Sequence, residues 1–449
     1  MSGTLLQSHR VGTDEYVLSL ARSEHFMAVS TSAHTIALLD PTTMKPSASF
    51  AKAHDDRINE LTFAPAKTLV SGSSDGTVKI WDAAQAGPLA TLRCADDEVW
   101  SVSAEGSYLA AGTNKAVVVW DVRQTRTPLA RYEMHTEAVT QVRFVPGTRR
   151  LVSGSMDELV CVLDTSQQEE DDAVLGVHNV QSPVVALGLY GAANEASGGA
   201  AGSGPLLAWV LSSTDIVQLW DLDAAERIAS LDTLVRHESA DHLAETEVGA
   251  RDAAAAAGAS GGGSGRHAMV PFDFVAGCAW EAHTHTLWML GGDKSGAAHI
   301  FTLPPTTLPV SRLTRTTSTA PTGGEDGGDD ADVELPPPAS VQGPVVHALS
   351  LPARSGGGAH DDSVRCFHLG GSSEGPVAIL TGGEDGRVAA WARPEPRATL
   401  QVAAAGAAAA VGGSGPGKAA KDAKAIKRAA TPYERPAKAR GGTSHEDGR

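Results

Sequence analysis

The feature that most constrains this chain is a repeat. The stretch LVSGSSDGTVKIWD, from Leu69 to Asp82, closes on a Trp-Asp pair. Relatives of it close at Trp120-Asp121, Leu163-Asp164, Trp220-Asp221 and Trp391, and weaker copies at Leu39-Asp40 and Phe301. From Leu39 through Trp81 and Trp120 to Leu163 the steps are 42, 39 and 43 residues, and the later steps lengthen to 57, 81 and 90. Seven copies of one short unit do not make seven independent domains. A unit of this size cannot bury both of its faces alone, so each must pack against its neighbours.

Each copy reads as four short strands. In the clearest one, residues 58–63, 68–71, 77–81 and 89–92 are rich in β-branched and apolar side chains. Pro65, the Ser-Asp-Gly run at 73–76 and Gly87-Pro88 supply the turns between them. Four strands per copy, seven copies and a Trp-Asp close predict an all-β chain folded as a seven-bladed β-propeller over residues 1–402. The blades are expected near 14–50, 51–93, 94–132, 133–178, 180–232, 270–310 and 340–402. Two segments compete for the outer strand of the last blade, residues 4–7 and residues 397–402, and the N-terminal one is expected there.

The long steps are insertions. Residues 191–204 and 354–359 are glycine-rich, 236–267 combine an alanine run with Gly-Gly-Gly-Ser-Gly, and 311–340 are Thr-rich, then acidic, then Pro-rich. None can bury enough apolar surface to offset its ordering entropy, so 236–267 and 311–340 are expected to be flexible loops and 403–449 a disordered tail. Charge divides along the same line. The chain has 53 acidic and 36 basic residues, a net of −17, yet residues 401–449 hold nine Lys/Arg against four Asp/Glu. The acidic body therefore repels nucleic acid, and at most weak RNA contact is expected, through the tail. No run approaches the ~18 apolar residues of a spanning helix, and no signal peptide opens the chain, so a soluble intracellular protein without membrane contact is expected. Cys94, Cys161, Cys278 and Cys366 form no CxxC pair, which disfavours a zinc finger or disulfide framework.

Polar residues recur at fixed places in the repeat. His54, Ser71, Asp75 and Trp81 in blade two have the spacing of a structural tetrad, in which a buried indole N–H, a hydroxyl, an imidazole and a carboxylate satisfy one another in turn. Blade seven carries His360, Thr381, Asp385 and Trp391. Blade four carries His135, Ser153 and Asp157, with Leu163 in place of Trp. A Ser-His-Asp trio invites a hydrolase reading, but the trio recurs in three blades and no Gly-x-Ser-x-Gly elbow accompanies it. The run from Gly412 to Lys418 resembles a phosphate loop, yet Ala419 stands where a Mg²⁺-binding hydroxyl is needed. His283 and His285 share one strand face but lack a third ligand nearby. No catalytic residue, cofactor or metal is expected.

These motifs resemble those of WD-repeat proteins. A narrower likeness runs through HTEAVTQVRF from His135, LVSGSMD from Leu151, CVLD from Cys161, the acidic stretch from Glu169, and ILTGGEDGRVAAW ending at Trp391, with a basic tail after it. In that order they are similar to the group of WD repeat-containing protein 89 and its plant relatives. The resemblance implies a non-enzymatic scaffold, monomeric within complexes, whose partners are other proteins such as ribosome-assembly factors. A second resemblance lies in blade three. Trp120, Asp121 and Arg123 are similar to the Trp-Asp-x-Arg box by which WD-repeat substrate receptors bind the cullin-4 adaptor, although Asn114 stands where that box has an acid. In the tail, Lys427-Arg428 and Lys438-Ala-Arg440 read as the halves of a nuclear import signal. Together these readings point to the nucleus or nucleolus, and to the cytoplasm.

Overall fold

The computed structural model describes residues 3–392, except 13, 65–67, 84–86, 95–96, 192–204, 232–272, 282–283, 285, 304–345, 354–358 and 371–377. The insertions expected at 236–267 and 311–340, the alternative closing strand at 397–402, and the tail from 403 lie outside the described residues.

The described residues form seven four-stranded antiparallel sheets. Six are continuous meanders, over residues 17–50, 58–93, 101–132, 141–179, 184–231 and 274–351. The seventh holds three strands from 364–392 and takes its fourth from the N-terminus. The innermost strands are Val17–Arg22, Ile58–Phe63, Ser101–Glu105, Gln141–Phe144, Val184–Tyr190, Phe274–Glu281 and Val364–Gly370. Each packs against the next, and the last against the first, so the sheets close a ring: a seven-bladed β-propeller. One helical turn, Glu170–Ala173, is the only α-helix among the described residues.

Burial falls between blades. Val70, Val78 and Ile80 of blade two pack with Val99, Val102, Leu109 and Trp120 of blade three. Phe50 of blade one stacks on Trp81 of blade two with centroids 4.9 Å apart. At about 1.5–3 kcal/mol for each large apolar side chain removed from water, these interfaces supply what no single sheet can.

One boundary differs from expectation. Val346–Leu351 pairs with Ala298–Leu303, so it is the outer strand of blade six rather than the start of blade seven, which begins at Val364. The stretch 304–345 therefore separates two strands of one blade. Repeat spacing reveals that an insertion exists, not which connection receives it. The ring itself is closed by Leu5–Arg10, which pairs with Arg387–Ala392 from Leu5 opposite Trp391 to Arg10 opposite Arg387. Counted from one Trp-Asp close to the next, each copy thus runs outer strand first, followed by the three inner strands of the next blade.

Candidate functional site

In blade two the strand Thr77–Asp82 carries Trp81 inward, where its indole N–H donates to Ser71 Oγ at 2.9 Å. Ser71 is fully buried, and His54 Nε2 lies 2.7 Å from its Oγ. His54 Nδ1 lies 2.9 Å from Asp75 Oδ2. Assigning the tautomer from these contacts puts the imidazole proton on Nδ1, toward the carboxylate, and leaves Nε2 to accept from Ser71. Asp75 also accepts the Asp55 N–H at 3.0 Å and the Thr77 hydroxyl at 2.6 Å. Burial alone would raise the Asp75 carboxyl, but bonds from His54 and Thr77 outweigh it and hold the group well below the usual carboxylate range.

Blade seven repeats the chain. Trp391 donates to Thr381 Oγ1 at 2.9 Å, Thr381 lies 2.8 Å from His360 Nε2, and His360 Nδ1 lies 3.0 Å from Asp385. In blade four His135 links Ser153 Oγ at 2.9 Å to Asp157 at 3.0 Å, and Leu163 fills the indole's place, fully buried. In all three blades the hydroxyl is buried and engaged by the histidine, and in two also by the indole. A nucleophile needs an open approach, which these hydroxyls lack.

The repeat carries further polar groups that motif spacing did not reveal. Thr77 adds a fifth member to the blade-two network through Asp75 and lies 3.1 Å from His54 Nδ1. Blade five uses a different chain: Trp220 donates to Gln218 Oε1 at 2.9 Å, and Gln218 donates to the Val180 carbonyl at 3.0 Å. On the inner strands, Glu60 of blade two accepts from Ser101 Oγ at 2.5 Å and the Val102 N–H at 2.9 Å of blade three, and from Arg143 of blade four at 2.7 Å. Glu60, Ser101 and Gln141 stand at equivalent places, opposite Gly72, Gly112 and Gly154, while Arg143 lies two residues further along its strand. Aligning the copies would have set Glu60 beside Ser101, but Arg143 reaches that column from outside it.

These chains anchor one end of the ring. In each blade the loop entering the inner strand and the loop between the second and third strands emerge at the same end. The Ser74 N–H donates to the Arg57 carbonyl, Met156 N–H to Ala138, Ser213 N–H to Pro183 and Glu384 N–H to Ser363. Asp55, Asp56, Glu137 and Asp361 are exposed on this loop face, with Tyr16 half exposed beside Asp14. Arg57, Lys115 and Lys294 are exposed there too, and Arg365 is paired with Glu384.

In blade three Trp120 is buried while Arg123 is exposed on the turn after it. The Arg123 guanidinium folds back on Asp121, Nη2 to Oδ2 at 2.6 Å, and bonding from Arg123 lowers the Asp121 carboxyl to about 2. Asn114 accepts from Trp100 Nε1 at 2.8 Å. All four cysteines are free, and burial pushes the Cys94 and Cys366 thiols up to about 12. Among the described residues no group of three His, Cys, Asp or Glu side chains gathers to hold a metal, and no helix is long and apolar enough to cross a membrane. His283, His285, the Gly412–Lys418 run and the tail residues Lys427, Arg428, Lys438 and Arg440 lie outside the described residues.

Comparison with known proteins agrees with this architecture. The family model for the WD domain, G-beta repeat, matches residues 44–82, 86–121 and 126–164. Each match starts near an outer strand and ends on the third strand of the next blade, the offset seen in the fold. The WD repeat-containing protein 89 homolog of Dictyostelium discoideum is 29% identical over 308 residues, covering 68% of this chain and 75% of that protein. The WD repeat-containing protein GTS1 of Arabidopsis thaliana is 25% identical over 383 residues, covering 82% and 78%. Among solved structures, a chain in a crystal structure of the mitotic checkpoint complex aligns with a TM-score of 0.56 at 15% identity, covering 88% of this chain and 96% of that one, a likeness of fold.

Proposed function

The chain is a WD-repeat protein, and from that premise we propose that it is a non-enzymatic scaffold that binds basic protein segments on its loop face, with ribosome assembly as the setting. One observation carries the reading: exposed carboxylates at Asp55, Asp56, Glu137 and Asp361 stand on loops that the buried polar chains hold rigid. A preformed surface on which exposed carboxylates outnumber exposed cations loses little freedom on binding and favours a partner rich in Lys and Arg. Assembly of ribosomes handles many Lys/Arg-rich protein segments, which fit that charge. The basic tail residues Lys427, Arg428, Lys438 and Arg440 support entry to the nucleus or nucleolus.

The test is affinity purification from nuclear and cytosolic fractions, comparing wild type with Asp55→Lys/Asp56→Lys. The reading requires a basic protein set that wild type retains and the variant loses at unchanged Tm. An identical partner set for both would end it. A second reading is kept for blade three, because Arg123 is exposed on the turn after Trp120-Asp121: a substrate receptor for a cullin-4 ligase. Under it, wild type co-purifies the adaptor and Arg123→Ala does not. Absence of the adaptor from wild-type purifications retires it.

A further inference from the structure

The outer strand of blade four, Val174–Asn179, differs from its counterparts around the ring. Every outer strand ends a sheet and presents backbone N–H and C=O groups with no strand opposite. Most are blunted. Pro46–Phe50 and Pro88–Arg93 begin on proline. Ala130–Tyr132 is three residues long and carries Arg131. Glu226–Leu231 opens on Glu226 and Arg227, and Leu5–Arg10 ends on Arg10. Val346–Leu351 lacks both proline and charge, but the Gly3 N–H donates to its Ser350 carbonyl at 2.7 Å, so one outward group of that edge is already bonded within the chain. Val174–Asn179, VLGVHN, is six residues long, has neither proline nor charge, and has no strand of the described residues against its edge.

The register fixes which groups face out. Val180 N–H donates to the Glu158 carbonyl, and His178 and Gly176 stand opposite Val160 and Val162. In an antiparallel ladder bonded pairs alternate with unbonded ones, so Val177 and Asn179 turn their N–H and C=O away from the sheet. Beside them the Leu175 and Val177 side chains are 53% and 41% exposed. Directly before the strand the turn holds Glu169 and Asp172, both exposed.

We propose that this edge takes an extended segment of a partner protein as a fifth strand, with alternate apolar residues on Leu175 and Val177 and a Lys/Arg pair at its C-terminal end against the acidic turn. The proposal deepens the scaffold reading and rests on it, but concerns a different surface. Main-chain bonds along an open edge give affinity, and alternate side chains give specificity. An antiparallel segment runs its C-terminus past Glu169 and Asp172, which explains the place of its cations. A second copy of this chain fits less well, because it brings the same uncharged edge and a net charge of −17.

The probe is a fluorescein-labelled peptide, Thr-Val-Thr-Val-Thr-Val-Lys-Arg, titrated by anisotropy with the full chain. Saturable binding is expected. Val177→Pro removes one outward N–H and no ladder bond, and Gly176 before it tolerates the ring. It should weaken binding at least about fivefold, the scale of one hydrogen bond, with Tm nearly unchanged. Leu175→Lys is the second variant should the proline disturb folding, and it should weaken binding likewise. Glu169→Lys/Asp172→Lys should weaken binding and flatten its salt dependence. The proposal is overturned by no saturable binding, by binding that Val177→Pro and Leu175→Lys leave intact, or by a wild-type dimer that either variant dissolves. Binding lost only in Asp55→Lys/Asp56→Lys would move the peptide to the loop face, ending this proposal while the scaffold reading stands.

Discussion

Asp75, Asp157 and Asp385 each join a buried histidine to the backbone of the loop beside it. All three carboxyls sit below their ordinary range: burial opposes ionisation, and the histidine bonds overcome it. The unfolded chain therefore takes up protons at these groups before the folded one does. Their stabilisation is fully present above the unfolded value of about 4 and is lost as pH falls toward the lower folded values. Thermal melts from pH 7 to pH 3 should show Tm falling below about pH 5, and Asp75→Asn should make that fall shallower. An unchanged slope in the variant would deny Asp75 this role. At neutral pH, His54→Ala and Asp75→Ala should each cost ~1–3 kcal/mol by denaturant melts, since each leaves buried partners unpaired.

A backbone detail belongs to the same scale. The turn after the aspartate needs a left-handed residue, supplied by Gly76 (φ 77°) in blade two and Gly386 (φ 70°) in blade seven. Blade four has Glu158 at φ 69°. Glu158→Gly should therefore stabilise by about 0.5–1 kcal/mol, relief of left-handed strain less the entropy of the added glycine. A lower Tm would show that the Glu158 side chain contributes more than its strain costs. The tetrad members were legible in the sequence because each is a fixed residue type at repeat spacing. Gln218 was not, because a glutamine reaching the Val180 carbonyl solves the same indole problem with different chemistry. Thr77 hid in plain view, within the Asp-Gly-Thr turn.

At the scale of elements, strand number, blade number and most outer strands followed from the repeat, while the outer strand that lies beyond the long insertion did not. A four-strand unit can be cut at any connection without changing its periodicity. Val346–Leu351 was therefore assigned to the wrong neighbour, and two terminal segments competed to close the ring. Leu5–Arg10 closes it, with Leu5 packed on the cluster that holds Trp391. Deleting residues 1–10 should cost at least roughly 3 kcal/mol, because a whole ladder and its apolar contacts go together. Hydrogen exchange should then rise first in Arg387–Ala392, the strand left at the edge. Unaltered protection there would mean that the ring does not depend on this closure. The Glu60–Arg143 pair links blades that are not neighbours, across Ser101 of the blade between. Both side chains are partly exposed, so a double-mutant cycle should give about 1 kcal/mol of coupling. No coupling would reduce the pair to packing.

For the whole molecule, charge separates the two functional expectations. The acidic propeller is proposed to take basic protein partners, and the cluster from Lys418 to Arg440 is proposed to carry the chain into the nucleus. Deleting residues 418–440 from a fusion too large to diffuse through pores should shift it toward the cytosol, and an unchanged distribution would end the import claim. Partner choice stayed illegible in the sequence for a physical reason. Motifs report the buried residues that recur from blade to blade, whereas the proposed recognition rests on exposed side chains such as Asp55, Glu137 and Tyr16, which no repeat spacing singles out. Carbodiimide crosslinking of the purified complex addresses the central claim most directly, because it joins a carboxylate to an amine only when the two are in contact. Crosslinks from Asp55, Asp56, Glu137 and Asp361 to lysines of the bound protein, suppressed in Asp55→Lys/Asp56→Lys, are the expected result. Crosslinks confined to carboxylates away from the loop face, with a complex that survives the double substitution, would contradict it.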